Sequence, residues 1–463
     1  MECQYYYLSL FQSNEDIILQ LNDDNLVNLN TIFKEEIIDM NLIHKILTKI
    51  DRISLINYIK TNKADILARK LWFLYEYYIN SLDEIADLSN VMNLTHESIL
   101  NDELQITLNV GEISKRHYII NNMISSGKLF ICIERTHYIK DNENVLKQLL
   151  KSLNKNDEIS PERINSHIYK KETKFSYLIE NETIEDSNNV LYDKLNSFEF
   201  NKQELIKLQN DIVTDFYKSK DWRNIQSYVG GTSRVRGYSY REIYDYICPK
   251  PNDVGKLMQW LFELNEKLNK SDIDLTIYAS ILSFLFVYIH PFNDGNGRIS
   301  RFLINWLLYK QKLNILPLSA VIYNNITNYH DALNEFSVKI EPHIEYNKNR
   351  DGSIQVLDDT IQYYQFINLT KQTEYLFKTL IEAKYYYLCE FKFLSIFDDM
   401  KANFPLIESN YLVCLIRNGK IGSKKQKRAK VDLNQLIDYF ERNFKSKLDD
   451  SFHYTLNKIN KQK

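Results

Sequence analysis

Twelve consecutive residues carry most of the chemistry this chain can do: His290-Pro291-Phe292-Asn293-Asp294-Gly295-Asn296-Gly297-Arg298-Ile299-Ser300-Arg301. His290 titrates near neutral pH, which suits a general base. Asp294 offers the hard oxygen that magnesium prefers, and a magnesium ion bridging phosphates usually needs only one or two protein carboxylates. Gly295, Asn296 and Gly297 can take the unusual dihedrals that turn successive backbone N–H groups toward an anion. Arg298 and Arg301 are three residues apart, on one helical face, and can grip different phosphates of one nucleotide. The set reads as a phosphate cradle with a base at its other end: nucleotide chemistry in which a hydroxyl is activated.

Such groups need elements to hold them. An apolar run, Leu275 to Ile289, leads into the segment, and an apolar-periodic run, Phe302 to Leu308, follows it. The layout predicts a buried helix, a tight loop and a second helix starting near Arg298. The free N–H groups and positive dipole end of that second helix would add to the cradle.

The string resembles the signature of the Fic family, His-Pro-Phe-x-(Asp/Glu)-Gly-Asn-Gly-Arg-x-x-Arg, at every fixed position. Fic proteins fold as compact helical bundles, and most transfer AMP from ATP to a protein hydroxyl. The resemblance implies a mainly α protein: a Fic-fold bundle with a small β-hairpin flap and helical regions on both sides. It implies His290 as the base for a Tyr, Thr or Ser hydroxyl, and Phe292 as the buried anchor of the loop. It makes Asp294 the magnesium ligand and Gly295, Asn296 and Gly297 the anion hole. Arg298 and Arg301 become the phosphate-binding arginines, with Arg301 toward the γ-phosphate. ATP is then the substrate, Mg2+ the cofactor, and the partner a target protein or the chain itself.

Upstream, Ser176-Tyr177-Leu178-Ile179-Glu180-Asn181 resembles the inhibitory pattern (Ser/Thr)-x-x-x-Glu-(Gly/Asn) of self-restrained Fic proteins. Ser176 and Glu180 are four apart, so a helix would place both on one face. The resemblance implies an inhibitory helix near 171–185, preceding the core, whose Glu180 pairs with Arg301 and blocks γ-phosphate placement. The plainer alternative is a glutamate on a solvated helix face. Val229-Gly230-Gly231-Thr232, with Tyr246-Ile247-Cys248-Pro249-Lys250-Pro251, resembles the segment carrying the family's target-docking flap. A Gly-Gly between β-tending residues is also an ordinary hairpin signal. Tyr329, His330 and Leu333 stand where the family often lines the adenine pocket. Arg69 to Glu76 and Thr370 to Leu376 resemble flanking regions of longer bacterial Fic proteins. The expected division is a mostly helical region over 1–165, a Fic core over 166–345 and a helical C-terminal region over 346–463.

Composition sets the outer bounds. The chain has 463 residues, 44% of them hydrophobic, which excludes a largely disordered protein. A formal net charge of -3 argues against a general nucleic-acid binder. Only 11 Gly and 7 Pro leave few tight turns and favour helices. The 5 cysteines are scattered with no Cys-x-x-Cys pair, which argues against a zinc site or disulfide framework and fits a reducing compartment. Glu2 and the lack of a basic n-region do not read as a signal peptide. Leu275 to Ile289 is short of the roughly 18 residues that suggest membrane spanning. A soluble, cytoplasmic protein is expected.

Along the rest of the chain, Leu55, Ile56, Ile59, Ile66, Leu67 and Leu71 fall at helical spacing, and the stripe Trp72, Phe73, Tyr75, Tyr77 and Tyr78 reads as core. Lys128 to Ile133 and Ser353 to Leu357 read as strands. Helical patterns cover 200–217, Tyr363 to Met400 and Leu433 to Phe444. Lys420, Lys424, Lys425, Lys427, Arg428 and Lys430 form a basic run after a Gly419 turn: a solvated loop, or a nucleic-acid or partner patch on a winged-helix-like module. No P-loop and no His-Glu-x-x-His motif occurs, which disfavours kinases and metalloproteases. Two rival readings remain beside AMP transfer. One is AMP removal, or transfer of UMP or another phosphate-linked group, on the same fold. The other is a DNA- or protein-binding regulator with a silent core.

Overall fold

Asp274 starts the helix on which the site depends. Its Oδ1 accepts the N–H groups of Thr276 and Ile277 at 2.8 and 3.3 Å. The helix Leu275–Ile289 then runs without a charged side chain and is buried nearly all round, as a helix without a charged face tends to be. It ends at His290, which takes a left-handed conformation with φ 52°.

The computed structural model describes residues 23–88, 94–109, 111–153, 160–182, 190–234, 240–349, 352–422, 426, 433–448 and 452, and these are mainly α-helical. They form two compact units, each drawn from separated stretches of chain. The first takes its residues from 1–141, 219–296 and 332–374; the second from 142–218, 297–331 and 375–463. Among the described residues, no helix is long and apolar enough to cross a membrane.

In the first unit, the helices Met40–Lys49 and Arg52–Thr61 start on aspartate caps, Asp39 and Asp51, which satisfy N–H groups left without intrahelical acceptors. The aromatic stripe on Ile66–Tyr78 is core: Trp72 and Tyr78 are fully buried. The strand expected over 128–133 is Leu129–Cys132. It pairs antiparallel with Ser125–Ser126 and parallel with Phe366–Asn368, Phe130 opposite Phe366. That pairing corrects the expectation of one helix from Tyr363. Residues 366–368 give their backbone to the sheet, and Asn368 Oδ1 then accepts the Thr370 N–H at 2.9 Å, so the long helix starts at Thr370 and runs Thr370–Asn403.

In the second unit, the helix Pro161–Ile179 is bracketed by sequence-readable signals. Ser160 caps it, Pro161 opens it, and Asn181 closes it with φ 58°. The helix Leu318–Asn324 packs beside it, with Ser319 donating its N–H and Oγ to the buried Glu172 carboxylate at 2.7 and 2.6 Å. The helix Ser409–Asn418 ends at Gly419, which is left-handed with φ 67°. Of the basic run, Lys424, Lys425, Lys427, Arg428 and Lys430 lie outside the described residues.

Candidate active site

The first unit carries the part of the twelve-residue segment from His290 to Asn296. His290 Nδ1 lies 3.2 Å from the Val287 carbonyl oxygen. A carbonyl only accepts, so Nδ1 must hold a proton, and in the neutral ring the lone pair sits on Nε2. The left-handed backbone that turns this ring out of the helix is held by Arg223. Its Nε donates to the His290 carbonyl at 2.7 Å, its N–H to the Pro291 carbonyl at 2.8 Å, and its Nη groups to the Ile225 and Pro249 carbonyls. Phe292 is fully buried against Trp222, ring centroids 5.3 Å apart.

Asn296 closes the loop upon itself. Its Oδ1 accepts from the Phe292 N–H at 3.0 Å and its Nδ2 donates to the Phe292 carbonyl at 2.7 Å. Asp294 is half-buried, and its Oδ1 accepts the Gly295 N–H at 2.6 Å. Gly295 has φ 90°, which requires glycine.

The second helix starts at Asn296, two residues earlier than expected, and runs Asn296–Lys310. Its first-turn N–H groups, which lack intrahelical acceptors, therefore include those of Gly297 and Arg298. In the second unit, Gly297 lies so close to Glu180 that an added Cβ would come within 2.5 Å of Glu180 Oε1.

Arg301 is 2% exposed. Its Nη2 donates to Glu180 Oε1 at 2.8 Å and to the Ser176 carbonyl at 2.9 Å, and its Nε donates to Ser176 Oγ at 3.1 Å. Its Nη1 has no hydrogen-bond partner among the described residues. Burial opposes the charge on this guanidinium, but Glu180, Tyr329 and Glu172 together outweigh it, and the group is held above its ordinary range. Arg298 is 1% exposed. Its Nη1 donates to Glu182 Oε2 at 2.7 Å and to the Ile212 carbonyl at 2.9 Å, and its guanidinium lies 5.0 Å over the Tyr177 ring.

The end of the 161–179 helix explains how two carboxylates reach this point. Glu180 is not inside the helix, as its spacing from Ser176 suggested, but caps it. The Asn181 N–H bonds the Leu178 carbonyl at 3.1 Å, and the Glu182 N–H bonds the Tyr177 carbonyl at 3.0 Å. With Asn181 left-handed between them, this is a Schellman close. It fixes the backbone of 180–182 and carries Glu180 to Arg301 and Glu182 to Arg298.

The remaining candidates are placed as follows. Tyr329 is buried in the second unit, its phenol pushed up by burial and drawn down by neighbouring Arg301. Its ring meets that of Tyr375 at 5.9 Å. His330 is exposed. Leu333, in the first unit, is half-buried, and its carbonyl accepts from Tyr288 Oη at 3.2 Å. The hairpin is Tyr228–Arg234 paired with Tyr240–Ile247. Gly230 and Gly231 are not its turn. They pair with Tyr244 and Ile243 within the ladder, just after a register shift at Val229/Gly230, and Thr232 pairs with Glu242. A glycine pair in a strand marks a bulge as readily as a turn, and the connecting residues 235–239 lie outside the described ones. Arg223 and Glu182 escaped the sequence reading. A buried arginine on backbone carbonyls leaves no local pattern, whereas Glu182, two residues past a recognised pattern, could have been tested as a helix-end partner.

Residues 199–308 match the family model described as the Fic/DOC family. A probable protein adenylyltransferase from Aquifex aeolicus is 28% identical over 199 residues, 42% of this chain and 58% of that protein. The protein adenylyltransferase Fic of Drosophila virilis is 30% identical over 114 residues, 24% of this chain and 21% of that protein. The chain thus spans little more than half the length of the first relative and about a fifth of the second. Among solved structures, a Fic family protein from Desulfovibrio desulfuricans aligns over 66% of this chain and 87% of its own, at 14% identity and a TM-score of 0.35.

Proposed function

We propose that this chain is a protein adenylyltransferase, moving AMP from ATP to a Tyr, Thr or Ser hydroxyl of a target protein or of itself, and restrained at rest by Glu180. The observation that carries the reading is the buried Arg301, held by an internal carboxylate on one amino group and without an acceptor among the described residues on the other. A guanidinium in that state is a site for an anion that forks across it. The names of the relatives, protein adenylyltransferases, support an AMP-bearing anion.

In the reaction, the hydroxyl oxygen attacks the α-phosphorus while His290 Nε2 takes its proton. The bond from that phosphorus to the bridging oxygen breaks, and pyrophosphate leaves. Arg298, Arg301 and the N-terminal N–H groups of the 296–310 helix hold the phosphates in line, so positioning and charge stabilisation supply most of the rate. Asp294, half-buried and offering hard oxygens, fits a magnesium ion that keeps most of its waters. Bound there, magnesium would neutralise phosphate charge. Val229, Gly230, Gly231 and Thr232 would receive the target segment, and Tyr329, His330 and Leu333 would border the adenine.

His290→Ala is expected to lower labelling of protein by α-labelled ATP by about 100- to 10,000-fold, with ATP affinity retained. Labelling near the wild-type rate removes His290 from the mechanism. The added mass on the modified protein separates AMP from UMP or another phosphate-linked group.

A further inference from the structure

We propose that Glu182 is a second internal anion, occupying Arg298 as Glu180 occupies Arg301, so that Glu180-Asn181-Glu182 stands in for two neighbouring phosphates of a nucleotide. The inference rests on the phosphate-binding reading of the two arginines given above.

Three observations carry it. First, of the partners of Arg298 among the described residues, the Ile212 carbonyl and the Tyr177 ring are held by the fold, whereas Glu182 can leave. Ile212 is buried, the half-buried Tyr177 ring sits on the 161–179 helix, and Tyr177 Oη itself donates to that same Ile212 carbonyl at 2.8 Å. The Glu182 carboxylate is 38% exposed and reaches in from the chain end of the cap. Second, the Schellman close fixes the backbone spacing of the two glutamates, so both charges arrive as one unit. Third, Glu180 Oε1 lies against Gly297 in the first turn of the 296–310 helix, where anions bind backbone N–H groups. Two carboxylates on two buried arginines, one of them also over a helix N-terminus, have the charge layout of a polyphosphate.

The physical consequence differs from that of a single lock. A buried guanidinium without an anion is costly, so each arginine keeps its carboxylate until a better anion displaces it. Removing Glu180 frees Arg301 alone. Arg298 remains engaged, and ATP must still displace Glu182. The carboxylate of Glu182 acts through Arg298 and touches no reacting atom, so its loss shows in nucleotide affinity and KM more than in kcat.

The test is ATP affinity by calorimetry, with and without magnesium, together with labelling kinetics, for wild type, Glu180→Gly, Glu182→Ala, Glu182→Gln and the Glu180→Gly/Glu182→Ala pair. Glu182→Gln keeps the shape, and the Glu182 N–H bond to Tyr177 does not depend on the side chain, so the helix end is preserved. Removing one charge-assisted competitor is expected to tighten ATP roughly tenfold in each background. Glu182→Gln should match Glu182→Ala, and KM in the Glu180→Gly background should fall with kcat nearly unchanged. Unchanged or weaker ATP binding on loss of Glu182 in both backgrounds overturns the proposal, while label transfer by Glu180→Gly would still uphold the adenylyltransferase reading. Stepwise tightening of ATP with no label transferred by any variant upholds the two-carboxylate lock and sinks the adenylyltransferase reading instead.

Discussion

Glu172 shows how far burial can move one side chain. It lies one turn before Ser176 on the 161–179 helix, 5% exposed, with both carboxylate oxygens accepting from Ser319. Burial pushes its carboxyl from an ordinary 4.5 up to about 7, and the Ser319 hydrogen bonds and Arg301 only partly offset this. The group therefore stays protonated in the folded chain over a range where the unfolded chain has ionised it. The associated stability is fully present below pH 4.5 and is lost as pH rises toward 7. A shift of that size is worth about 3 kcal/mol at most. Glu172→Gln, neutral at every pH, should gain thermal stability relative to wild type between pH 5 and pH 8. Paired melting curves at those two values check this, and a constant difference between the proteins would show that Glu172 does not titrate in this window. His290 and Arg223 teach a related lesson. The Val287 carbonyl sets the histidine tautomer, and the carbonyls of His290 and Pro249, far away in sequence, hold Arg223.

At the scale of elements, the decisive one is a helix end. Asn181 has φ 58°, a region that costs most side chains about 1–2 kcal/mol and that Asn and Gly tolerate. Asn181→Gly should leave the close intact. Asn181→Val should loosen it, release both carboxylates and raise protein labelling toward the level of Glu180→Gly. If labelling by Asn181→Val stays at the wild-type level, the cap does not hold the lock. Here the pattern (Ser/Thr)-x-x-x-Glu-(Gly/Asn) acquires a physical meaning: the last position must turn left-handed. Much else at this scale was legible. The helix Leu275–Ile289 has the bounds its apolar run gave, because an aspartate cap and a left-handed histidine bracket it. The strand Leu129–Cys132 fell inside its expected range. What was not legible depends on pairing across long separations. Residues 366–368 left the helical pattern for a sheet whose partner strand lies more than two hundred residues earlier, and Gly230-Gly231 entered a ladder where a turn was expected. Arg223 and Glu182 act on groups that no local period announces.

At the scale of the molecule, each unit is stitched from distant stretches, and the second has a charged pin at its centre. Glu390, on the 370–403 helix, is completely buried among His167 and Lys171 of the 161–179 helix and Arg417 of the 409–418 helix. Burial would raise its carboxyl, but Lys171, His167 and Arg417 outweigh burial and hold it at about 2. Removing one member of such a group strands the others, at about 3–5 kcal/mol. Glu390→Gln should therefore lower the urea midpoint of unfolding markedly, and the Glu390→Gln/Lys171→Met pair should recover part of that loss. A single variant as stable as wild type would mean that the cluster is not a structural pin.

The helix Leu275–Ile289 carries a consequence for how His290 is held. A segment without a charged side chain, buried nearly all round and capped at its start, has no solvated face along which it can fray, so its amides are expected to open only with the unit as a whole. The His290 N–H bonds back to Phe286 at 3.1 Å, inside that segment. The histidine thus inherits the persistence of the least labile stretch of backbone near it. Transient opening of surface hairpins or helix ends can come and go while His290 keeps its orientation.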